Sequence, residues 1–361
     1  MKNQNNYVAI MAGGVGSRFW PMSKTSYPKQ FLDILNTGRT LIQSTYDRFS
    51  TFIPTENIFV VTSAEYVSIV KEQLPHLSEG NIVAEPERKN TAACVAYISF
   101  KLKKMNPNAN MIVAPSDHLI GNLDLFTDTC KKALDYTSKH YAFVTLGIKP
   151  THPNTGYGYI QFDQEKNKSG VFKINRFTEK PDLSTANEFL SEGNYLWNSG
   201  IFIWKAEDIV DSFWEHSPYM YDLFQDRIDD LNTPNETQAI LDIYEKCPST
   251  SIDYAIMEKA KNVHLIPSDF IWNDLGTWNS AYDNFQKDEE MNASNSKSAI
   301  LVDSKGCLVH SNEQKLMVIG GLEDLIIVNT PEALLICKKE NEQQIKEYVA
   351  KVKEAQGVLY I

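Results

Sequence analysis

The chain reads as an α/β protein: a mostly parallel mixed sheet with helices on both faces, followed by a small β-rich domain. Three observations lead there. Short β-branched runs alternate with amphipathic stretches from residue 7 to about 147, the order that builds parallel sheets. A polar stretch at 286–297, with Asp288-Glu289-Glu290 and an Asn/Ser run, interrupts the pattern as a linker does. Beyond it, strand-like runs recur roughly every ten residues and are punctuated by Gly306, Gly320-Gly321 and Asn329. The 361 residues therefore divide into a large domain at 1–285, a linker at 286–297 and a small β-rich domain at 298–361 with a closing helix.

Tyr7 to Met11 forms the first strand, apolar and short enough to be buried in a parallel sheet. Gly13, Gly14 and Gly16 follow it, where backbone N–H groups can approach phosphate oxygens without a Cβ in the way. Glycines alone suit a plain tight turn equally well. Arg18 and Lys29 add the fixed positive charge a polyphosphate needs, Arg as a planar fork and Lys as a point charge. No Gly-Lys-Ser/Thr ending makes this a P-loop, and neither a third glycine nor a later acidic residue completes a dinucleotide fingerprint.

The alternation continues through a helix at 41–52, a strand at 58–61, a helix at 64–74 and a strand at 82–84. Asn90 caps a helix running to about Met105, whose Lys101, Lys103 and Lys104 suit its negative end. Strand 111–114 leads straight into Pro115-Ser116-Asp117-His118. A carboxylate just after a buried strand, as at Asp117, sits where parallel-sheet enzymes hold Mg²⁺; a cap for the next helix is the competing role. His118 is left to packing or to support of that position. Helix 123–137 and strand 142–146 complete the series.

The middle third holds three further stretches. Thr155 to Ile160 places Gly156 and Gly158 around an aromatic, consistent with close backbone approach to a ligand or with a bulge. Glu179 and Lys180 are an adjacent carboxylate and ammonium, suited to sugar hydroxyls and a sugar phosphate, or simply solvated. Leu196 to Trp204 is an apolar strand broken by Asn198-Ser199-Gly200, and polar groups in a buried strand need partners. Helical patterns cover 183–190, 206–214 and 237–244, with a short helical segment from Ser251 through Asp253-Tyr254. Phe270 to Trp278 then places Asp274 at the end of an apolar strand, either to turn the chain or as a second carboxylate for a phosphate-bridging metal. Strands at 298–302, 307–310, 316–319, 325–328 and 334–337 and a helix at 342–355 close the chain.

Gly13-Gly14-Val15-Gly16-Ser17-Arg18-Phe19-Trp20-Pro21, with Pro28-Lys29-Gln30-Phe31-Leu32, resembles the N-terminal signature of the sugar-nucleotide pyrophosphorylases. Phe19-Trp20 and Gln30-Phe31, with Trp272-Asn273-Asp274-Leu275-Gly276-Thr277-Trp278 later, look like the mannose-1-phosphate guanylyltransferase branch of that family. The resemblance runs from Val8 to about Trp278. It implies a Rossmann-like nucleotidyltransferase fold, a short left-handed β-helix-like C-terminal part that often contributes to dimerisation, and transfer of GMP from GTP to α-D-mannose 1-phosphate. It implies catalytic roles for Arg18, Lys29 and Lys180, base recognition by Glu85 to Asn90, and a hexose site at Gly158, Glu179 and Asn198. It also implies phosphate binding by the Gly13–Gly16 amides and Mg²⁺, or another divalent cation, on Asp117 and Asp274. A monofunctional chain, with no isomerase module after the β-rich part, is the expectation. The same chemistry on another sugar or NTP, and a catalytically silent subunit that senses GDP-mannose, are the competing readings; a nicotinamide-dependent oxidoreductase lacks its fingerprint.

Composition agrees with that picture. A net charge of −11 and pI near 5.2 argue against nucleic acid or an anionic membrane as partner and require any phosphate site to be a local positive cleft. Five cysteines without a C-x-x-C pair read as reduced thiols. With no signal-like N-terminus and no apolar run of about 18 residues, a cytoplasmic homodimer acting on GTP and mannose 1-phosphate is the expectation.

Overall fold

The computed structural model describes residues 2–14, 16–163 and 169–361; Val15, inside the glycine turn, lies outside them. The chain divides into two compact units, one of residues 1–13, 46–115 and 120–272, the other of 14–45, 116–119 and 273–361.

The first unit is built on nine strands: β1 (Asn6–Met11), β2 (Ile58–Ser63), β3 (Ile82–Glu85), β4 (Asn110–Pro115), β5 (Phe143–Ile148), β6 (Tyr159–Phe162), β7 (Phe172–Thr178), β8 (Tyr195–Lys205) and β9 (Val263–Ser268). They lie in the order β3-β2-β1-β4-β8-β5-β9-β7-β6. Every residue of β2 and β5 is buried, the signature of central strands covered on both faces. The sheet is parallel across β3-β2-β1-β4 and again at β5-β9. β8 runs antiparallel between β4 and β5, and β7 and β6 are antiparallel as well. The sheet is thus mixed, with its parallel half at the N-terminal end. A continuous apolar run looks alike in either direction, so composition could not set the direction of β8.

Helix Asn90–Met105 spans the expected residues, but Asn90 is its first residue rather than its cap: the N-cap is Lys89, which makes no side-chain capping bond. Ala92 to Ala96, Ile98, Phe100 and Leu102 are buried, while Lys103 and Lys104 sit in its last turn. Lys101 is buried too, and its ammonium meets the Glu236 carboxylate at 2.6 Å.

Several elements depart from the sequence pattern. β7, β9 and helices Pro218–Gln225 and Trp278–Asn284 were not legible in it. β7 carries Lys173, Asn175 and Arg176 among its apolar residues, which hides the alternation. The strand expected to run into Asp274 is only Trp272–Asn273; the long apolar strand of that region is β9. Helix Trp278–Asn284 opens on a reciprocal cap between Thr277 and Ser280.

The second unit contains the short strands β10 (Ala293–Ser294), β11 (Ala299–Val302), β12 (Leu308–Ser311), β13 (Met317–Gly320), β14 (Leu325–Asn329) and β15 (Leu334–Lys338). β10, β12 and β14 stack in parallel, with Leu308 opposite both Ala293 and Ile326, and β11 pairs in parallel with β13. Successive strands of one chain stacked in parallel make a β-helix-like coil, and β15 closes it antiparallel. The core of this unit joins Leu308, Ile326 and Val328 to Phe19, Trp20, Trp278 and Ile345. Among the described residues no helix is long and apolar enough to cross a membrane.

Candidate active site

The second unit contains a cavity of about 300 Å³ lined by Gly16, Ser17, Arg18, Lys29, Asp117, His118, Asp274, Gly276 and Lys346. Gly16 has φ 64° and delivers the chain into the single turn Ser17–Phe19, which carries Arg18. Phe19 packs on Trp278 with ring centroids 4.8 Å apart, and the Trp278 indole donates to the Trp20 carbonyl. The turn is thereby fixed from beneath, and the Arg18 Nε is buried without a hydrogen-bond partner among the described residues. Such a donor needs an acceptor from a ligand or water.

Lys29 is buried and fully engaged. Its Nζ lies 2.8 Å from Asp117 Oδ2 and donates to the Asp274 carbonyl at 3.0 Å and the Leu275 carbonyl at 2.9 Å. Three acceptors use all three protons of an ammonium. Burial on its own would raise the Asp117 carboxyl, but the Lys29 charge, helped by His118 and by the Lys29 hydrogen bond, holds it below the ordinary range. Gln30 donates to the Gly14 carbonyl at 2.9 Å, tying the glycine turn to the same segment. Asp274 Oδ1 accepts from the Gly276 N–H at 3.0 Å.

The donor set admits a divalent cation in one way. Among the described residues no three His, Cys, Asp or Glu side chains gather as a protein-only cage. Asp117 and Asp274 nevertheless line the same cavity, and Mg²⁺ is commonly held by one or two carboxylates with substrate phosphates completing the shell. Two carboxylates beside cations fit a metal that arrives with a polyphosphate.

Two further groupings lie in the first unit. Glu85, 8 % exposed, accepts from the Tyr244 hydroxyl at 2.8 Å, and burial pushes its carboxyl up to about 7 against that hydrogen bond. A Cβ on Gly13 would stand 3.6 Å from Glu85 Oε2, so the end of the first strand adjoins this carboxyl. Asn90 has φ 64°, and its Oδ1 accepts from the Thr91 N–H at 2.8 Å.

In the other grouping, the Asn198 N–H donates to the Gly158 carbonyl at 2.8 Å. A Cβ on Gly158 would lie 2.5 Å from Glu179 Oε2 and 3.3 Å from Asn198 Cβ, so only glycine leaves this carboxylate in place. Asn198 Oδ1 accepts from the Thr145 hydroxyl at 3.0 Å and the Gly200 N–H at 3.1 Å, and its Nδ2 donates to Asp253 Oδ1 at 3.2 Å. Glu179 pairs with Lys180. Burial works against the Lys180 charge, but that hydrogen bond and the Glu179 charge outweigh it and hold the ammonium above its ordinary value. Burial, then the Glu179 charge, pushes Asp253 up to about 7 while Lys180 opposes the shift.

The family model for nucleotidyl transferases matches residues 7–291, and that for the MannoseP isomerase/GMP-like beta-helix domain matches 297–352. A mannose-1-phosphate guanylyltransferase of Escherichia coli is 34% identical over 348 residues, spanning 94% of this chain and 74% of its own length. The chain belongs to the nucleotidyl transferase family, in its mannose-1-phosphate guanylyltransferase branch. The alginate biosynthesis protein AlgA of Pseudomonas aeruginosa is 36% identical over 353 residues, spanning 96% of this chain and 72% of its own. A crystal structure described as a mannose-1-phosphate geranyltransferase from Thermus thermophilus superposes with a TM-score of 0.86 at 26% identity, covering 97% of this chain and 99% of that one.

Set in this nucleotidyl transferase fold, the residues picked from sequence form three groups. Gly16, Arg18, Lys29, Asp117 and Asp274 line one cavity, with Gly14 bonded to the same segment. Gly13 adjoins Glu85, and Gly158, Glu179, Lys180 and Asn198 touch one another in series. Asp253, Tyr244 and Lys346 are additions that residue patterns did not single out. Asp253 sits on a π-helical turn, Asp253–Met257, and its signal was the polar Ser251 and Asp253 flanking the buried Ile252. Tyr244 and Lys346 carried none, each lying on an ordinary amphipathic helix.

Proposed function

We propose that this chain transfers GMP from GTP to α-D-mannose 1-phosphate, giving GDP-mannose and pyrophosphate. The observation that carries the proposal is the gathering of Arg18, Lys29, Asp117 and Asp274 around one cavity in a chain of the guanylyltransferase branch. A phosphate oxygen of the sugar phosphate attacks the α-phosphorus of GTP as the bond to the β-phosphate oxygen breaks and pyrophosphate leaves. Such a displacement asks the protein for positioning and charge neutralisation rather than covalent chemistry.

The division of labour follows from the side chains. Arg18, with its unsatisfied Nε, binds phosphate oxygens whose charge grows as pyrophosphate departs. The turn amides at Gly14 and Gly16 support the same oxygens. Lys29 acts through its neighbours: it holds Asp117 and the Asp274 backbone in place. Asp117 and Asp274 would hold Mg²⁺, which when bound neutralises phosphate charge. In the first unit the Glu85 carboxylate accepts from the N1–H and amino group of guanine, an arrangement adenine cannot answer, and Asn90 shapes the turn beside it. Glu179 and Asn198 take hexose hydroxyls across the Gly158 backbone, and Lys180 meets the sugar phosphate.

The test is pyrophosphate release by the purified chain with four NTPs crossed against mannose, glucose and N-acetylglucosamine 1-phosphates, with and without EDTA. GTP with mannose 1-phosphate should lead, EDTA should abolish release, and Asp274→Asn should lower turnover about a hundredfold or more. Preference for another pair, or no release at all, would replace this reading with one of its competitors.

A further inference from the structure

The cavity has a cation that comes from neither the glycine turn nor the strand ends. Lys346 lines it from the helix Ile345–Gln356, which follows the β-helix-like coil. Its placement is anchored from several directions. Ile345, the preceding residue, is wholly buried in the core shared with Phe19, Trp20 and Trp278. Tyr348, Val349 and Val352, further along the helix, pack on that core as well. Beyond the helix end, the Trp20 indole donates to the Tyr360 carbonyl at 2.6 Å. The helix is therefore fixed against the turn that carries Arg18, and Lys346 reaches the mouth of the cavity while remaining exposed.

Charge in the cavity is unevenly committed. Lys29 and Asp117 neutralise each other, and Lys29 has no proton left to donate. Lys346 has neither an ion pair nor a side-chain hydrogen bond among the described residues, and Arg18 Nε is unpartnered there as well. The cations available to an incoming anion are thus Arg18, from the glycine turn, and Lys346, from the C-terminal helix.

We propose that Lys346 binds the pyrophosphoryl end of the nucleotide, and so makes the helix after the β-helix coil part of the catalytic machinery. The inference rests on the reading of this cavity as the triphosphate site. Hexose phosphate has a separate lysine, Lys180, in the first unit, which leaves the two terminal phosphates and the pyrophosphate they become as the anion for Lys346. A flexible ammonium at the rim suits a group that must both arrive and leave.

The experiment titrates inorganic pyrophosphate, with Mg²⁺, into the full chain by calorimetry for wild type, Lys346→Met and Lys346→Arg, alongside steady-state kinetics. Loss of one charge-assisted contact at a partly exposed site should weaken pyrophosphate binding about tenfold in K346M, less so as salt is raised, with near-recovery in K346R. KM for GTP should rise by a similar factor while KM for mannose 1-phosphate stays put. A merely structural lysine would instead lower the melting temperature or shift both KM values. Unchanged pyrophosphate affinity in K346M, with wild type still making GDP-mannose, overturns the role of Lys346 and spares the reaction. Weakened pyrophosphate binding in a chain that makes no GDP-mannose keeps Lys346 as an anion ligand and sinks the substrate assignment. Absence of pyrophosphate binding in wild type overturns both.

Discussion

Replacing Gly16 by alanine should damage the chain far more than replacing Gly14, although both glycines belong to one turn. Gly16 has φ 64°, a conformation that costs a residue with a Cβ roughly 1–2 kcal/mol. The added methyl would also stand 3.2 Å from both the Lys29 N and the Ser23 Oγ, and too close to Lys29 Cβ for any real pair of carbons. Lys29 cannot step aside freely, because its ammonium is held at 2.8–3.0 Å by Asp117 and two backbone carbonyls. Overpacking of that kind adds about 1–3 kcal/mol, for a total of about 2–5 kcal/mol. At Gly14 an added Cβ meets nothing within 4 Å among the described residues and no unusual φ is required, so alanine there should change stability by less than about 1 kcal/mol. Chemical denaturation of G16A, G14A and wild type measures the difference, and GTP titration reports whether the turn has moved in G16A. Equal midpoints for the two alanine variants would show that the glycine turn does not press on Lys29, and the packing described for the cavity floor would be wrong.

Two pH effects follow from buried groups. With its carboxyl near pH 7, Glu85 is mostly protonated at pH 6 and mostly ionised at pH 8; if the carboxylate is what reads guanine, KM for GTP should fall about tenfold over that span. The dependence should vanish in Glu85→Gln, and a slope that persists there would assign the titration to another group. His310 is wholly buried beside Trp278 and Phe285, and burial depresses it to about 4. Its unfolded-state value near 6.5 is higher, so the stability it secures is complete above pH 6.5 and disappears as pH drops towards 4, roughly 3 kcal/mol in all. Urea midpoints for the second unit should decline across that window and decline less in His310→Asn; parallel pH curves for the two proteins would contradict the assignment.

Much of the sheet was legible because buried parallel strands are short, apolar and flanked by turn residues, as β1, β2 and β4 are. Direction and continuity were less so. β8 reads as a buried strand in either sense, and β9 ends in Pro267-Ser268, so the apolar run nearer Asp274 drew the assignment instead. The residues that line the cavity stood out because glycine, arginine and carboxylates next to strand ends are costly unless used. Asp253 left only a faint trace, polar Ser251 and Asp253 on either side of an apolar Ile252, and Lys346 left none, because nothing local distinguishes a lysine on an amphipathic helix from its many solvated counterparts. Their significance depends on long-range neighbours: Asn198 for one, the turn at Ser17–Phe19 for the other.

Lys29 shows why residue type and motif leave a role open even when position is right. A lysine near a glycine turn is expected to reach a phosphate, and charge alone would support that. The structure instead gives its three protons to acceptors on two other segments, at 117 and 274–275, so that one side chain joins the segment after the glycine turn to the Asp117 carboxylate and to the backbone beside Asp274. An ammonium held by three acceptors and paired with the Asp117 carboxylate fixes those groups in place, a positioning role rather than that of a free charge. If the cavity takes a polyphosphate, a more mobile charge has to come from elsewhere, and among the described residues that line it Arg18, on the turn, and Lys346, on the helix that packs against that turn, are the other lysine and arginine side chains.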